Sequence, residues 1–411
     1  MRRPELLIPA SSLEVLKVAV MYGADAVYIG GEAFGLRAKA KNFSLDEMKE
    51  GIAFAHAHDV KVYVTANILA HNEDLTGVEA YFQELYAFGE GNRPDALIIS
   101  DPGVFAIAQE ICPGIELHIS TQANNTNYGT YRFWYKQGAK RVVSARELSL
   151  AEIAELRKHI PEDLEIETFI HGAMCMSYSG RCLLSNYFTG RDANRGACTH
   201  SCRWKYAVVE ETRPGEYFPV YENERGTYIF NSKDLCMIEY IPELMESGID
   251  SFKIEGRMKT ALYVATVART YRRAIDDYKE SPELYKKNLP WYLDEISNGT
   301  YRQFTTGFFF GKPTDETQIY DNNTYVKEYT YLGIIGAQNG QGLYRIEQRN
   351  KFSVGEEIEV MRPNGDNLTV TVRRITDEDG SEMEAAPHPK QVLYIDLGQP
   401  LELYDILRRR E

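Results

Sequence analysis

The chain has 411 residues, enough for two domains or one large domain with a small one attached. Its charged fraction of 26% and hydrophobic fraction of 44% are those of a globular protein. A net charge of -14 argues against a general nucleic-acid binder, because bulk affinity for phosphate needs positive charge, but it leaves room for a local basic site. No basic-then-apolar leader opens the chain, and no apolar run approaches the ~20 residues of a membrane span. The expectation is a cytoplasmic protein with no membrane partner and with reduced thiols.

A strand–helix unit recurs over residues 1–280. Predicted strands fall at 5–10, 26–31, 60–67, 96–101, 117–122, 141–147, 165–172 and 251–257. Helix patterns such as SLEVLKVAVMYG and SLAEIAELRKHI run between them. Ser44 with Glu47, and Ser149 with Glu152, have capping-box spacing. Gly23, Gly138 and Gly248 lie just before strands, where a helix must stop. Eight strands alternating with helices predict an α/β fold, a closed TIM-like (β/α)8 barrel of parallel strands. An open doubly wound sheet would be expected to carry a Gly-rich phosphate turn after its first strand, and IPASSLEV has none.

The alternation breaks once, between the seventh and eighth strands. The insert at 173–230 holds a Cys-rich segment and then a predicted antiparallel excursion. Because it follows the C-terminal end of a strand, it is expected over the catalytic face. Residues 281–325 read as a connector. Residues 326–411 read as a small C-terminal all-β barrel, a binding or docking module.

Two constellations carry chemistry. Cys175, Cys182, Cys198 and Cys202 are four of the six cysteines, separated by six, fifteen and three residues. This is not the spacing of a zinc ribbon. An iron–sulfur cluster, structural zinc and unrelated thiols all remain open. Cys236 is a fifth thiol that could replace Cys202 or fill core, and Cys112 reads as a buried hydrophobe. The same segment carries Arg181, Arg191, Arg195, Arg203 and Lys205 against one acid, Asp192, so it is either a basic patch or a solvated loop.

The second constellation is SFKIEGRMK, where Lys253, Glu255 and Arg257 alternate with Phe252 and Ile254 and so share one face of a strand. Buried charges need partners, either one another in a structural network or an anionic substrate. Polar residues at other strand ends converge on the same mouth: Thr65 and Asn67, Ser100 and Asp101, Ser120 and Gln122, Ser144, Arg146 and Glu147, and His171. Each alone reads as structural; together they predict a polar, partly cationic pocket. His171 could be a ligand, an acid or a packed ring. HExxH, GxSxG and GxxxxGK[ST] are absent.

ETFIHGAMC at 167–175, followed by SGRCLLS at 179–185, resembles the signature of the collagenase-like peptidases of unassigned mechanism. PELLIPA, YGADAVYIGG, SDPG, RELSL, RGACTHSCRWKY, NSKDL and SFKIEGRMK extend the likeness through the barrel, and KFSVGEEIEV carries it into the C-terminal domain. Within that family the chain is most similar to the bacterial branch that hydroxylates tRNA. The resemblance implies an RNA-modifying enzyme that makes 5-hydroxyuridine at the wobble position without dioxygen and with prephenate. It also implies a 4Fe-4S iron–sulfur cluster on Cys175, Cys182, Cys198 and Cys202.

In that setting Lys253, Glu255, Arg257 and Asp234 are the expected catalytic residues. The two cations, with Arg146, hold the prephenate carboxylates, and the two acids move protons. Gln122, His171, Arg181, Arg195 and Arg203 are expected to contact substrate. Tyr178, Tyr187 and Trp204 are candidate stacking rings for a uridine flipped out of the anticodon loop. Without a nicotinamide or flavin fingerprint, an external electron donor is a further expected partner. The alternatives are a peptidase, as the family label suggests, and an RNA-binding module with structural zinc.

Overall fold

The computed structural model describes residues 3–31, 42–175, 177–191, 193, 197–203, 207–209, 217–219, 233–299, 303–312 and 328–411. In chain order the first strands are β1 (Glu5–Pro9), β2 (Ala26–Gly30), β3 (Lys61–Ala66), β4 (Ala96–Ile99), β5 (Glu116–Ile119), β6 (Arg141–Val143) and β7 (Glu165–Gly172). They are followed by β8 (Ala207–Val209), β9 (Tyr217–Pro219), β10 (Asp234–Cys236), β11 (Ser251–Ile254) and β12 (Phe304–Thr305). Strands β1 to β7 pair in parallel with their sequence neighbours, and β11 pairs with both β1 and β7. The ring of eight is therefore closed, and the eight predicted strands are its eight members.

The strands are nearly continuous apolar runs because both of their faces are covered. Leu7, Ala26, Tyr28, Tyr63, Ala96 and Ile98 form a buried cluster of their own inside the ring. Leu6, Ile8, Val27, Val62 and Val64 belong to the larger core shared with the helices. Those helices include α1 (Leu13–Met21), α2 (Leu45–His56), α3 (Asn72–Tyr86), α4 (Pro102–Ile111), α5 (Tyr128–Lys136) and α6 (Leu150–Lys158). Both expected capping boxes form: Ser44 and Ser149 accept from the backbone N–H of Glu47 and Glu152, whose carboxylates reach back. Gly23, Gly138 and Gly248 all have positive φ where their helices stop.

Two features differ from the sequence reading. Strand β10 joins β7 antiparallel, opposing Leu235 to Gly172 and Cys236 to His171, and it brings Asp234 to the mouth of the barrel. Three residues of NSKDLC hold too little periodicity to register as a strand. The stretch read as a connector contains a helix. After α7 (Leu184–Thr189), α8 (Ile241–Glu246) and α9 (Ala261–Glu280) comes α10 (Pro282–Ser297), which starts on a Ser281 cap and packs along α9. Its aromatic residues and internal Pro290 obscure the helical period. The excursion in the insert is present as the antiparallel pair β8–β9, and most of 210–232 lies outside the described residues.

The C-terminal domain is an eight-stranded antiparallel sheet over residues 329–410, curled as a half-barrel around Leu332, Ile346, Phe352, Val360, Leu393 and Leu407. It is anchored to the barrel through buried polar contacts. Arg408 pairs with Glu295 of α10 at 2.8 Å, and the Tyr22 hydroxyl donates to the Met361 carbonyl at 2.8 Å. Among the described residues, no helix is long and apolar enough to cross a membrane.

Candidate active site

A cavity of about 460 Å³ opens at the C-terminal ends of the barrel strands. That is the size of a small-molecule site. Thr65, Asn67, Ser120, Gln122, Arg146, Lys253, Glu255 and Arg257 line it from the strand ends, and Cys175, Tyr178, Cys182, Cys198, His200 and Cys202 line it from the insert. No described residue beyond Lys259 lines it, so the C-terminal domain takes no part in its wall.

The floor is ionic. Lys253 Nζ is 2.6 Å from Glu167 Oε1 and lies over the Tyr28 ring at 4.5 Å. Arg141 also reaches Glu167, at 3.1 Å, and continues to Glu165 and Glu5. Burial alone would raise the Glu167 carboxyl, but Lys253 and Arg141 outweigh it and hold the group below its ordinary value. Burial likewise opposes ionisation of Glu5, yet Arg141, Tyr63 and Ser251 bring it down to about 2. The network reading thus holds for Lys253, whose partner Glu167 the sequence analysis missed. The available signal was Glu165, Glu167 and Phe169 at a period of two on a strand expected to be buried.

Above the floor, Arg257 Nη1 donates to Thr65 Oγ1 at 2.9 Å. Its guanidinium lies against Gly30, where a Cβ would come within 2.8 Å of it. Arg146 Nη1 donates to the Ala173 carbonyl at 2.9 Å, its Nη2 is 3.6 Å from Glu255, and its guanidinium stacks 4.2 Å from the Phe169 centroid. Gly172 sets the height of Glu255: its φ is +105°, and a Cβ there would stand 2.4 Å from the Glu255 carbonyl oxygen. Four cations (Arg146, Lys253, Arg257 and Lys259) face two carboxylates, Asp234 and Glu255, on the cavity wall. An acidic chain therefore carries a locally cationic cavity, which favours an anionic ligand. Lys259 was missed, although it extends the alternation of SFKIEGRMK by one further step.

His171 is a correction. It is buried among Tyr263, Tyr271 and Phe304 and does not line the cavity. Desolvation, with Lys259 adding to it, pushes its pKa down to about 3, so it is a neutral packed ring rather than a substrate contact. Cys236 opposes it on β10, 3.8 Å from the Tyr271 hydroxyl, with its thiol pushed up to about 12 by burial. Cys236 does not reach the cavity and Cys202 does. Cys112 is core, as expected, and its thiol rises to about 11.

All six cysteines are thiols, and the four on the insert share one wall. In chemistry and placement this donor set suits a soft metal centre. Among the described residues no three of His, Cys, Asp or Glu converge closely enough to hold a single ion as they stand. Arg181 brackets the segment to the barrel: its Nε donates to Asn124 Oδ1 at 2.7 Å, and Asn124 Nδ2 donates to the Ser179 carbonyl at 3.1 Å. Arg203 sits in the short helical turn Ser201–Arg203, and Arg195, Trp204 and Lys205 lie outside the described residues.

A closed parallel barrel with its polar groups at the strand C-termini and a thiol-rich segment across its mouth defines a β/α-barrel enzyme. The chain belongs to peptidase family U32: the model of that family matches residues 11–319, and that of the U32 C-terminal domain matches residues 327–408. It is 42% identical to tRNA hydroxylation protein P1 of Bacillus subtilis, over 99% of this chain and 95% of that protein. It is 38% identical to tRNA hydroxylation protein P of Escherichia coli, over 100% of this chain and 97% of that protein. It is 32% identical to the Escherichia coli 23S rRNA 5-hydroxycytidine synthase, over 90% of this chain and 53% of that protein. Among solved structures, a U32 peptidase is similar at 12% identity with a TM-score of 0.40, over 62% of this chain and 93% of that one.

Proposed function

We propose that this protein hydroxylates the wobble uridine of tRNA at C5 without dioxygen, using prephenate and a 4Fe-4S cluster on Cys175, Cys182, Cys198 and Cys202. The observation that carries the reading is the single cavity that four thiols share with Arg146, Lys253 and Arg257. Relatives aligned over nearly the whole chain, named for tRNA hydroxylation, support the reaction class. The rRNA relative, named for 5-hydroxycytidine synthesis, supports RNA hydroxylation more broadly.

In this reading Arg146 and Arg257, with the Lys253 ammonium beneath them, bind the two carboxylates of prephenate by charge-assisted hydrogen bonds. Glu255 and Asp234 lie on the same wall and accept or return protons at the base. C5 of a stacked uridine is out of reach, so the base leaves the anticodon loop to enter the cavity. Arg191, Arg195 and Arg203 contact phosphates around it. When bound, the cluster would supply one-electron chemistry, fed by an external electron donor.

The test is mass spectrometry of tRNA nucleosides from cells with and without the gene. Loss of 5-hydroxyuridine, restored by wild type but not by Cys182→Ala, supports the reading. Unchanged nucleosides in a strain with no paralogue overturn it for tRNA.

A further inference from the structure

Gln122 lies in the turn after β5, lines the cavity and is only 1% exposed. Its turn is tied down on all sides. Ser120 Oγ accepts from the Gln122 backbone N–H at 3.3 Å, Thr121 Oγ1 donates to the Ser144 carbonyl at 3.1 Å, and Asn125 Nδ2 donates to the Val143 carbonyl at 3.2 Å. The carboxamide itself is unmatched: among the described residues neither Nε2 nor Oε1 has a hydrogen-bond partner. It sits at the seam with the cysteine segment, where a Cβ on Gly180 would stand 3.1 Å from Nε2.

A buried amide with both ends unmatched weakens the empty protein, and native structures retain few such groups. A ligand that satisfies both ends at once offers an acceptor and a donor side by side. Carboxylates and phosphates offer acceptors alone and would leave Oε1 facing another oxygen. A pyrimidine edge offers both. We infer that Gln122 reads the edge of the target base, its Nε2–H donating to O4 and its Oε1 accepting N3–H of uridine. Turned over, the same amide pairs with N3 and the N4 amino group of cytidine, so it selects a pyrimidine edge rather than uridine alone. Among the described residues Asn67 Oδ1 on this wall is likewise an unmatched acceptor, with Asn67 Nδ2 held by Ser120 Oγ at 3.2 Å, and it suits a ribose hydroxyl. The inference rests on the RNA-hydroxylase reading above.

The test pairs Gln122→Met with two synthetic anticodon stem-loops, one with uridine and one with N3-methyluridine at the target position. Methionine conserves volume and removes the unmatched groups, so the Tm of the full-length holoprotein should hold or rise. Affinity for the uridine RNA should fall roughly 10- to 100-fold. The wild type should lose a similar factor on N3-methyluridine, and the variant should no longer distinguish the two RNAs, since the methyl group and the substitution remove the same contact. A Tm several degrees lower would make the amide structural and overturn the inference. So would a variant that weakens both RNAs equally while still distinguishing them. If the wild type binds neither RNA and makes no hydroxyuridine, the RNA reading itself falls, and the inference with it.

Discussion

Lys253 Nζ lies 2.6 Å from Glu167 Oε1, and both groups are shut away from solvent. The cation nearest the cavity floor is therefore held by an internal carboxylate before any substrate arrives. Such a pair fixes the ammonium in place, and removing one partner leaves an uncompensated buried charge. Glu167→Gln should destabilise the protein by about 3–5 kcal/mol. The double variant Glu167→Gln, Lys253→Met should lose clearly less than the two single losses combined. Urea midpoints at constant m-value measure both; strictly additive losses would show that the pair is not coupled.

The cysteines should separate into two classes. In metal-stripped native protein, a thiol reagent should reach Cys175, Cys182, Cys198 and Cys202, while buried Cys112 and Cys236 should react only after unfolding. In the loaded protein, Ser at any of the first four positions should lower iron content and visible absorption. Cys236→Ser should leave iron in place and cost stability alone, because its thiol packs in the core beside Tyr271. Loss of iron in that variant would return Cys236 to the ligand set.

His171 should make the fold acid-sensitive. The unfolded chain protonates it near 6.5, whereas the fold keeps it neutral down to about 3. Between those values the unfolded state binds the extra proton, so the stability is complete above pH 6.5 and falls as pH drops, by up to ~1.4 kcal/mol per pH unit. His171→Phe removes this slope, and the Tm gap between wild type and variant should shift in the variant's favour from pH 7.5 to pH 5. Glu5, a depressed carboxyl, acts in the same sense at lower pH. Its contribution is present above pH 4.5 and is lost only as pH falls toward 2.

Gly172→Ala should damage both fold and reaction. The residue has φ +105°, and its added methyl would stand 2.4 Å from the Glu255 carbonyl oxygen. The backbone strain alone costs about 1–3 kcal/mol. Relief of the clash moves Glu255 away from Arg146, so hydroxylation should fall even at temperatures where the variant is fully folded. Thermal unfolding and tRNA nucleoside analysis, run side by side, separate the two effects.

Tyr187 and Phe188 should matter for RNA and not for stability. They stand 82% and 45% exposed on the cysteine segment, their rings 5.2 Å apart, beside exposed Leu183 and Arg191. Exposed rings next to cations suit unstacked bases. The double Ala variant should keep its Tm within a degree or two and bind an anticodon stem-loop roughly 10-fold more weakly, since each stacked base contributes ~1–3 kcal/mol. Unchanged RNA affinity would assign the patch elsewhere.

Much of the fold was legible because it is written in short-range periods. The near-continuous apolar runs of β1 to β7 and β11, the two capping boxes and the helix-stopping glycines act over a few residues each. The alternation of Lys253, Glu255 and Arg257 placed all three on one wall for the same reason. Elements with too few residues or a masked period did not show: three-residue β10, and α10 with its internal proline.

By itself, then, the sequence determined the barrel, the thiol-rich segment over its mouth and the cationic strand that faces it, since each depends on neighbours along the chain. Which groups meet was decided only in three dimensions. Lys253 finds Glu167 across 86 residues, and Arg181 finds Asn124 across 57. His171 was turned from the site into an aromatic cage and Cys236 into the core, while Cys202 remained on the cavity wall. A charge, a thiol or an amide gets its role from what surrounds it, and ring closure, not local pattern, selects those surroundings.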